Sequence, residues 1–186
     1  MNQQTLRIGD RSLTVREIEM GDVERLRRMF GRLSADSVYR RFFSPIQQPS
    51  RSALLWLATV DHHDRDALVA LDGDEIVGVA RYDARAGSRT AEIAVTVEDA
   101  WQHRGLGKRL TRRLARRAID RGFESFEATL LADNRPALGL LRKLSPDASV
   151  RFDSGNYAAS MPLAAASSGS GSGRRMERAS EPPLCA

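Results

Sequence analysis

Short apolar runs, several of them alternating with polar residues and all bounded by turn residues, recur along the chain. Such runs are typical of half-buried or fully buried β-strands. The predicted strands are residues 12–18, 67–71, 75–83, 90–97, 125–131 and 156–162. Asp72-Gly73-Asp74 separates the second from the third of them and predicts a hairpin, because aspartate and glycine tolerate the positive φ that tight turns require.

Longer segments repeat apolar residues at intervals of three and four, which predicts amphipathic helices. The predicted helices are residues 23–33, 34–43, 50–59, 105–121 and 133–144. Ser34 or Asp36 can cap the second helix, Gly122 suits the end of the fourth, and Pro136 suits the first turn of the fifth. A meander of strands followed by strand–helix–strand–helix predicts a mixed α/β sheet.

The 186 residues are 41% hydrophobic and 28% charged, as expected for one globular domain. Cys185 is the sole cysteine and lies near the C-terminus, which fits a reducing compartment. The sequence has no N-terminal apolar segment typical of a signal peptide and no run of 18 apolar residues. We therefore expect a cytoplasmic protein with no membrane partner.

The formal net charge is +5, and much of the excess is arginine between residues 108 and 121. These arginines share one broad helix face, while Leu106, Leu110 and Leu114 share another. A solvated helix face is the favoured interpretation, and contact with a phosphate ligand is the alternative. Nucleic acid is an unlikely partner, since no aromatic residues interleave with the arginines to stack on bases.

The segment from residue 91 to residue 108 carries the strongest functional signal. A strand runs through Gly105 and Gly107 into a helix start, where unpaired N–H groups and the helix dipole attract anions. Glycine lets a phosphate approach the backbone, because no Cβ is in the way. The spacing excludes a Walker P-loop, and Leu110 replaces the third glycine of the dinucleotide fingerprint.

Gln102-x-x-Gly105-x-Gly107 resembles the Gln/Arg-x-x-Gly-x-Gly/Ala signature of the GNAT N-acetyltransferases. The resemblance implies a single GNAT domain over residues 12–163, after an N-terminal extension (1–11) and before a flexible Ser/Gly/Arg-rich tail (164–186). It also implies acetyl-CoA as co-substrate, with pantetheine along Val95, Thr96 and Val97. The residues implied to wrap the pyrophosphate are Gln102, His103, Arg104, Gly105, Leu106, Gly107 and Lys108. A basic residue near the helix start could also meet the coenzyme's 3′-phosphate.

Two further stretches resemble the Pat-type protein lysine acetyltransferases within that family. One is residues 33–43, which resemble a Leu-Ser-x-Glu-Ser-x-Tyr-x-Arg-Phe-Phe segment with Asp36 in place of the glutamate. The other is Ala-Glu-Ile-Ala-Val at 91–95 followed by Trp101-Gln102. The resemblance implies that Glu92 is the catalytic general base. We expect partial burial of Glu92 between Ala91 and Ile93 to tune its carboxylate for that role. The alternative is a surface glutamate paired with an arginine.

Other candidate residues carry weaker signals. Asn134 stands where many GNAT enzymes have an asparagine that touches the coenzyme, although an Asx cap of the following helix explains it equally well. Leu141 stands where many of them have a tyrosine acid, so the general acid is unassigned. Glu98 and Asp99 are expected to shape the loop or cap a helix. His62-His63 has no further ligand at convincing spacing, and we expect no metal.

The predicted activity is acetyl transfer to a primary amine by direct attack, and the resemblance favours a protein lysine as acceptor. Two alternatives stay open. One is a small-molecule amine as acceptor, and the other is a non-catalytic module of the same fold that binds acyl-CoA.

Overall fold

The computed structural model describes residues 3–44 and 48–163. The predicted tail at 164–186, with Cys185, lies outside the described residues. The strands are β1 (Gln4–Ile8), β2 (Arg11–Glu17), β3 (Arg65–Asp72), β4 (Glu75–Ala84), β5 (Thr90–Val97), β6 (Ser125–Leu131), β7 (Ser149–Asp153) and β8 (Asn156–Pro162). The helices are α1 (Val23–Arg32), α2 (Ala35–Phe42), α3 (Arg51–Ala58), α4 (Leu106–Asp120) and α5 (Arg135–Leu144).

The eight strands form one sheet in the order β1-β2-β3-β4-β5-β6-β8-β7. Every neighbouring pair is antiparallel except β5 and β6, which are parallel and are connected through α4. The predicted mixed α/β fold is thus confirmed. The caps also follow the sequence, because Ser34 and Ser50 each accept a hydrogen bond from the first turn of the following helix.

Two strands, β1 and β7, were not predicted from the sequence. β1 lies inside the segment assigned to an N-terminal extension, yet it pairs along its length with β2 and buries Leu6 and Ile8. β7 pairs with β8, and its side chains are mostly exposed. A strand that buries so little gives a weak hydrophobic pattern, which is why β7 was missed.

Both faces of the sheet are covered along its central strand β3. Along β3, Leu68 and Ala70 belong to the core that includes α4 and α5, whereas Ala67 and Val69 belong to the core under α1 and α3. Successive residues of a strand point to opposite faces, so a central strand buried on both sides reads as a continuous apolar run. This arrangement fixes which residues of β5 face α4 and which face the side of α1 and α2.

The sheet opens between β5 and β6. Their ladder has only the pairs Thr90–Ser125, Ala91–Phe126 and Glu92–Glu127. Beyond Glu92, β5 continues to pair with β4 as far as Val97, and β6 continues to pair with β8 as far as Leu131. The two strands therefore diverge and leave a V-shaped slot, with an unpaired backbone edge of β5 along one side.

Candidate active site

The loop between β5 and α4 lies at the wide end of the slot. It consists of a 3-10 turn at Asp99–Trp101, a tight turn, and the first residues of α4. Leu106 and Leu110 are fully buried against Gly78 of β4. A Cβ at Gly78 would lie 3.1 Å from a methyl carbon of each leucine, so glycine permits α4 to sit directly on the sheet.

The start of α4 has the backbone features of an anion site. Gly105 caps the helix in the left-handed region with φ +81°, and His103 also has a positive φ of 58°. Within the described chain, the backbone N–H groups of residues 103–108 donate no hydrogen bond. His103, Arg104 and Gly105 are exposed, and Lys108 is half-buried in the first turn. Unpaired N–H groups at an exposed helix start are the usual protein site for phosphate.

Gln102 points away from that anion site. Its side-chain amide nitrogen donates to the carbonyl oxygen of Val97 and to the hydroxyl oxygen of Ser37, both at 3.1 Å. The side chain thus ties the loop to the end of β5 and to α2. The sequence assigned Gln102 to the ligand site but gave no sign of this contact with Ser37.

Asp99 reinforces the same attachment. Its carboxylate accepts hydrogen bonds from the Ser34 backbone N–H at 3.0 Å, the Ser34 hydroxyl at 2.8 Å and the Ser37 hydroxyl at 2.9 Å. Burial acts to raise the pKa of Asp99, but the bonds from Ser34 and Ser37 hold it below its ordinary value. Glu98 pairs with Arg32 of α1. Both acids shape the loop, as the sequence predicted.

Glu92 occupies the vertex of the slot. The expectation of partial burial is wrong, because its side chain is exposed. The alternative of a surface glutamate paired with an arginine also fails, because its carboxylate has no hydrogen bond or ion pair with any residue that the structure describes. An unpartnered carboxylate at the vertex is free to contact a ligand.

A row of acidic residues crosses the sheet at Glu92. Its β4 partner is Asp83 and its β6 partner is Glu127. Burial acts to raise the pKa of Asp83, but the guanidinium groups of Arg81 and Arg65, each bonded to it at 2.9 Å, hold that pKa below its ordinary value. Asp83 is therefore neutralised, whereas Glu92 and Glu127 are not.

Arg41 of α2 approaches the same face. Burial lowers the pKa of its guanidinium, and the charge of Arg81 adds to this effect, while Asp83 and Glu92 oppose it. Arg41 is half-buried and forms no ion pair with the described residues. It supplies positive potential to the α2 side of Glu92.

A cavity of about 270 Å³ opens beside Glu92 on this face. Its walls come from β5, β6, β7 and β8. The lining side chains are Glu92, Glu127, Ala128, Thr129, Ser149, Arg151, Ala158, Ala159 and Ser160. Sequence analysis found only Glu92 among them, because one wall belongs to the unpredicted β7.

The arginines of α4 divide into two groups. Arg117 bonds to the fully buried Asp66 at 2.6 Å and also pairs with Glu17, and Arg121 donates to the backbone oxygen of His62. These two hold the C-terminal end of α4 against the end of β2 and the start of β3. The favoured interpretation of a solvated face holds for part of the helix only: Arg109 and Arg116 are exposed, whereas Arg112, Arg113 and Arg117 are half-buried.

The histidine pair is engaged by its acidic neighbours. His62 Nδ1 lies 2.9 Å from Asp66, and His63 Nδ1 lies 2.8 Å from Asp64. Over residues 3–44 and 48–163, no group of three or more His, Cys, Asp or Glu side chains could hold a metal ion. None of the helices in those ranges is long and apolar enough to cross a membrane.

The family model described as "Acetyltransferase (GNAT) family" matches residues 33–145, more than half of the chain. The chain belongs to this family. It is an N-acetyltransferase of the GNAT fold, and the sequence prediction of both is confirmed. The matched residues include α2, the slot, the loop and α5.

Named relatives agree with this assignment. The chain is 33% identical over 151 residues to an acetyltransferase of Pseudomonas aeruginosa, covering 76% of this chain and 81% of that protein. It is also 33% identical over 133 residues to the acetyltransferase Pat of Mycolicibacterium smegmatis. That match covers 70% of this chain but spans only 40% of the relative's length.

Solved structures show the same fold. The GNAT domain of S. lividans PAT superposes with a TM-score of 0.80 at 27% identity, covering 86% of this chain and 96% of that one. An N-acetyltransferase from Thermoplasma acidophilum, solved in complex with coenzyme A, superposes with a TM-score of 0.68 at 16% identity. It covers 81% of this chain and 98% of its own.

The remaining predicted GNAT site residues lie along the slot or beside it. Val95 and Val97 face the first turn of α4, since a Cβ at Gly107 would lie 3.6 Å from a methyl carbon of each. Thr96 is buried on the opposite face. The side chain of Asn134 caps α5 by accepting from the Ala137 N–H at 3.2 Å, so the capping interpretation is confirmed. Leu141 is buried in the core and offers no acid.

Proposed function

We propose that this acetyltransferase uses acetyl-CoA to acetylate the side-chain amine of a protein lysine, with Glu92 as general base. The observation that carries the proposal is the position of Glu92. It is the last β5 residue paired with β6, and its unpartnered carboxylate lies where the slot begins and where the cavity opens. A donor in the slot and an acceptor in the cavity would meet at this residue.

The residues of the slot fit acetyl-CoA. The N–H groups of residues 103–108 can receive the pyrophosphate, and neither Gly105 nor Gly107 places a side chain in its way. The unpaired edge of β5 at Val95, Thr96 and Val97 can hydrogen-bond an extended amide chain, as in strand addition. The Lys108 ammonium group can add positive charge beside the pyrophosphate. When bound, acetyl-CoA supplies the thioester carbon that the amine attacks.

Glu92 supplies the base. The acceptor ammonium first loses one proton to the Glu92 carboxylate. The free amine nitrogen then forms a bond to the thioester carbon, the carbon–sulfur bond breaks with its electron pair on sulfur, and the nitrogen's second proton passes to the departing sulfur. A positioned base of this kind contributes about 10²- to 10⁴-fold in rate. Leu141 is buried and carries no acidic group, so in this scheme the thiolate departs without a tyrosine acid at that position.

A lysine on a polypeptide is the favoured acceptor. The cavity is open to the surface, and its walls on β6, β7 and β8 carry mostly small side chains, with Glu127 and Arg151 as the charged exceptions. A lysine side chain could enter it while its backbone stays outside. The resemblance of residues 33–43 and 91–95 to the Pat-type protein lysine acetyltransferases supports this choice over a small amine.

The test compares the wild type with Glu92→Gln, and uses Glu124→Gln as the matched control. Glu124 precedes β6 and pairs with Arg89 at 2.7 Å. Thiol release from acetyl-CoA would be measured with a panel of proteins and amines, and acetylated products would be located by mass spectrometry. We expect Glu92→Gln to lower kcat by about 10²-fold or more and to leave acetyl-CoA affinity unchanged. Unchanged turnover in Glu92→Gln would refute the assigned base, and acetylation of small amines alone would refute the lysine acceptor.

A further inference from the structure

Glu127 stands beside Glu92 in the sheet and has no role in the function proposed above. The two residues are directly paired across the parallel β5–β6 ladder, so their side chains share one face. Neighbouring strands lie about 4.8 Å apart. Like charges in directly opposed positions destabilise a sheet. The fold therefore gains nothing from placing these two carboxylates together.

Two acidic residues near Glu127 are neutralised by arginines. Glu124, three residues earlier, pairs with Arg89, and Asp83, on the other side of Glu92, pairs with two arginines. Glu127 forms no hydrogen bond or ion pair with any described residue, in a chain with 29 Lys and Arg. Glu127 therefore does not stabilise the described part of the fold as an ion-pair partner.

Arg151, the basic side chain that lines the cavity, forms no ion pair with any residue that the structure describes. Arg151 is on β7, and its row across the sheet runs through Ala158 to Thr129, two residues beyond Glu127 on β6. Two strand spacings separate β6 from β7, which is about 10 Å. The carboxylates of Glu92 and Glu127 therefore form one negative end of the cavity, at the vertex of the slot.

We propose that Glu127 is a specificity-determining residue that binds the ammonium group of the acceptor together with Glu92. This inference rests on the proposed function, because it names how the acceptor is held at the same site. A cation between two carboxylates offsets their mutual repulsion, and charge-assisted hydrogen bonds of this kind are about twice as strong as neutral ones. Glu127 holds the ammonium, and Glu92 takes its proton. The acceptor class is a cationic primary amine without an anionic group beside the nitrogen.

The experiment measures acceptor KM, acetyl-CoA KM and kcat for the wild type, Glu127→Gln, Glu127→Asp and the control Glu124→Gln. The probe is a peptide with one lysine that the wild type acetylates. We expect Glu127→Gln to raise acceptor KM by about tenfold, the size of one lost charge-assisted hydrogen bond, with acetyl-CoA KM unchanged. Glu127→Asp should restore part of the loss. Added salt should reduce the difference in acceptor KM between the wild type and Glu127→Gln, because it screens the attraction between the carboxylate and the ammonium group.

Stability separates this role from a structural one. Removing one of two like charges should leave the melting temperature of Glu127→Gln unchanged or higher. A lower melting temperature together with a raised acetyl-CoA KM would overturn the inference in favour of a structural role. Equal acceptor KM in Glu127→Gln and the wild type would also overturn it, even where Glu92→Gln has lost turnover. If the wild type acetylates no amine, or Glu92→Gln keeps full turnover, the proposed function itself fails.

Discussion

The side-chain amide of Gln102, in the loop before α4, donates a hydrogen bond of 3.1 Å to the hydroxyl oxygen of Ser37 on α2. Ser37 in turn donates to Asp99, at the start of the same loop. One serine thus links α2 to the loop proposed to bind the pyrophosphate. Ser37 and Gln102 lie in the two segments that resemble the Pat-type acetyltransferases.

Replacing this serine should weaken donor binding without removing a ligand contact. Ser37→Ala loses two hydrogen bonds, each with a net value of about 1 kcal/mol, so the loop is less well held. We expect the acetyl-CoA Kd, measured by calorimetry, to rise about three- to tenfold. Ser52→Ala is the control, since that exposed hydroxyl contacts only Ser50 among the described side chains. Equal Kd values for both variants would contradict the prediction.

Gly105→Asp should abolish acetyl-CoA binding. Two unit charges about 4 Å apart at a protein surface repel by about 4 kcal/mol, which corresponds to more than a hundredfold in Kd. Gly73→Asp in the β3–β4 hairpin is the matched control. Its φ of +60° resembles the +81° of Gly105, and both positions have open space for a Cβ. Similar melting temperatures with a binding loss confined to Gly105→Asp would support the prediction, and retained binding would refute the anion site.

Asp22 should stabilise the fold most strongly above pH 4. It is fully buried and accepts hydrogen bonds from Arg16 at 2.6 and 2.7 Å. Burial acts to raise its pKa, but Arg16 and the Glu19 N–H hold that pKa below the ordinary value of 3.8. A carboxyl with a lowered folded pKa contributes stability above its unfolded pKa and loses it as the pH falls through the folded pKa.

The variant Asp22→Asn tests this contribution. It leaves Arg16 buried without its partner, so we expect a loss of about 3–5 kcal/mol in the free energy of unfolding at pH 7. Urea denaturation at pH 7 and at pH 3 would measure the loss, which should be smaller at pH 3. Asp36→Asn, at an exposed ion pair with Arg40, should change stability by less than about 0.5 kcal/mol. A loss at Asp22 that does not vary with pH would rule out the ionic origin.

Arg117 and Arg116 should differ sharply although they are neighbours on α4. Arg117 neutralises the fully buried Asp66, so Arg117→Gln should cost about 3 kcal/mol or more of unfolding free energy. Arg116 is exposed and forms no ion pair with the described residues, so Arg116→Gln should cost less than about 0.5 kcal/mol. Chemical denaturation measures both. Equal losses of unfolding free energy in the two variants would contradict the distinction between a paired and an exposed arginine.

Local sequence signals predicted the elements and the loop, because capping, turn chemistry and glycine conformation depend on a few adjacent residues. The strand, the glycines and the helix start around Gly105 are where the sequence placed them. The burial of Glu92 was predicted wrongly for a physical reason. Ala91 and Ile93 precede and follow it, but adjacent residues of a strand point to opposite faces, so their apolar side chains do not surround it.

The pairing of Glu127 with Glu92 could not be predicted from spacing. Thirty-five residues separate the two strand positions, and their adjacency depends on sheet order and register. The contact between Gln102 and Ser37 was missed for the same reason. Sequence patterns locate residues on elements, whereas the meeting of side chains from distant elements is a property of the folded sheet.

Only three residue pairs join β5 to β6 at the centre of an eight-stranded sheet. The sheet therefore consists of two parts, β1 to β5 and β6 to β8, that are joined by a short parallel ladder. A donor lying in the slot would extend that ladder by hydrogen-bonding to the unpaired edge of β5. The co-substrate would then stabilise the sheet as well as react, and hydrogen exchange of the backbone amides at the free edge of β5 should slow on binding.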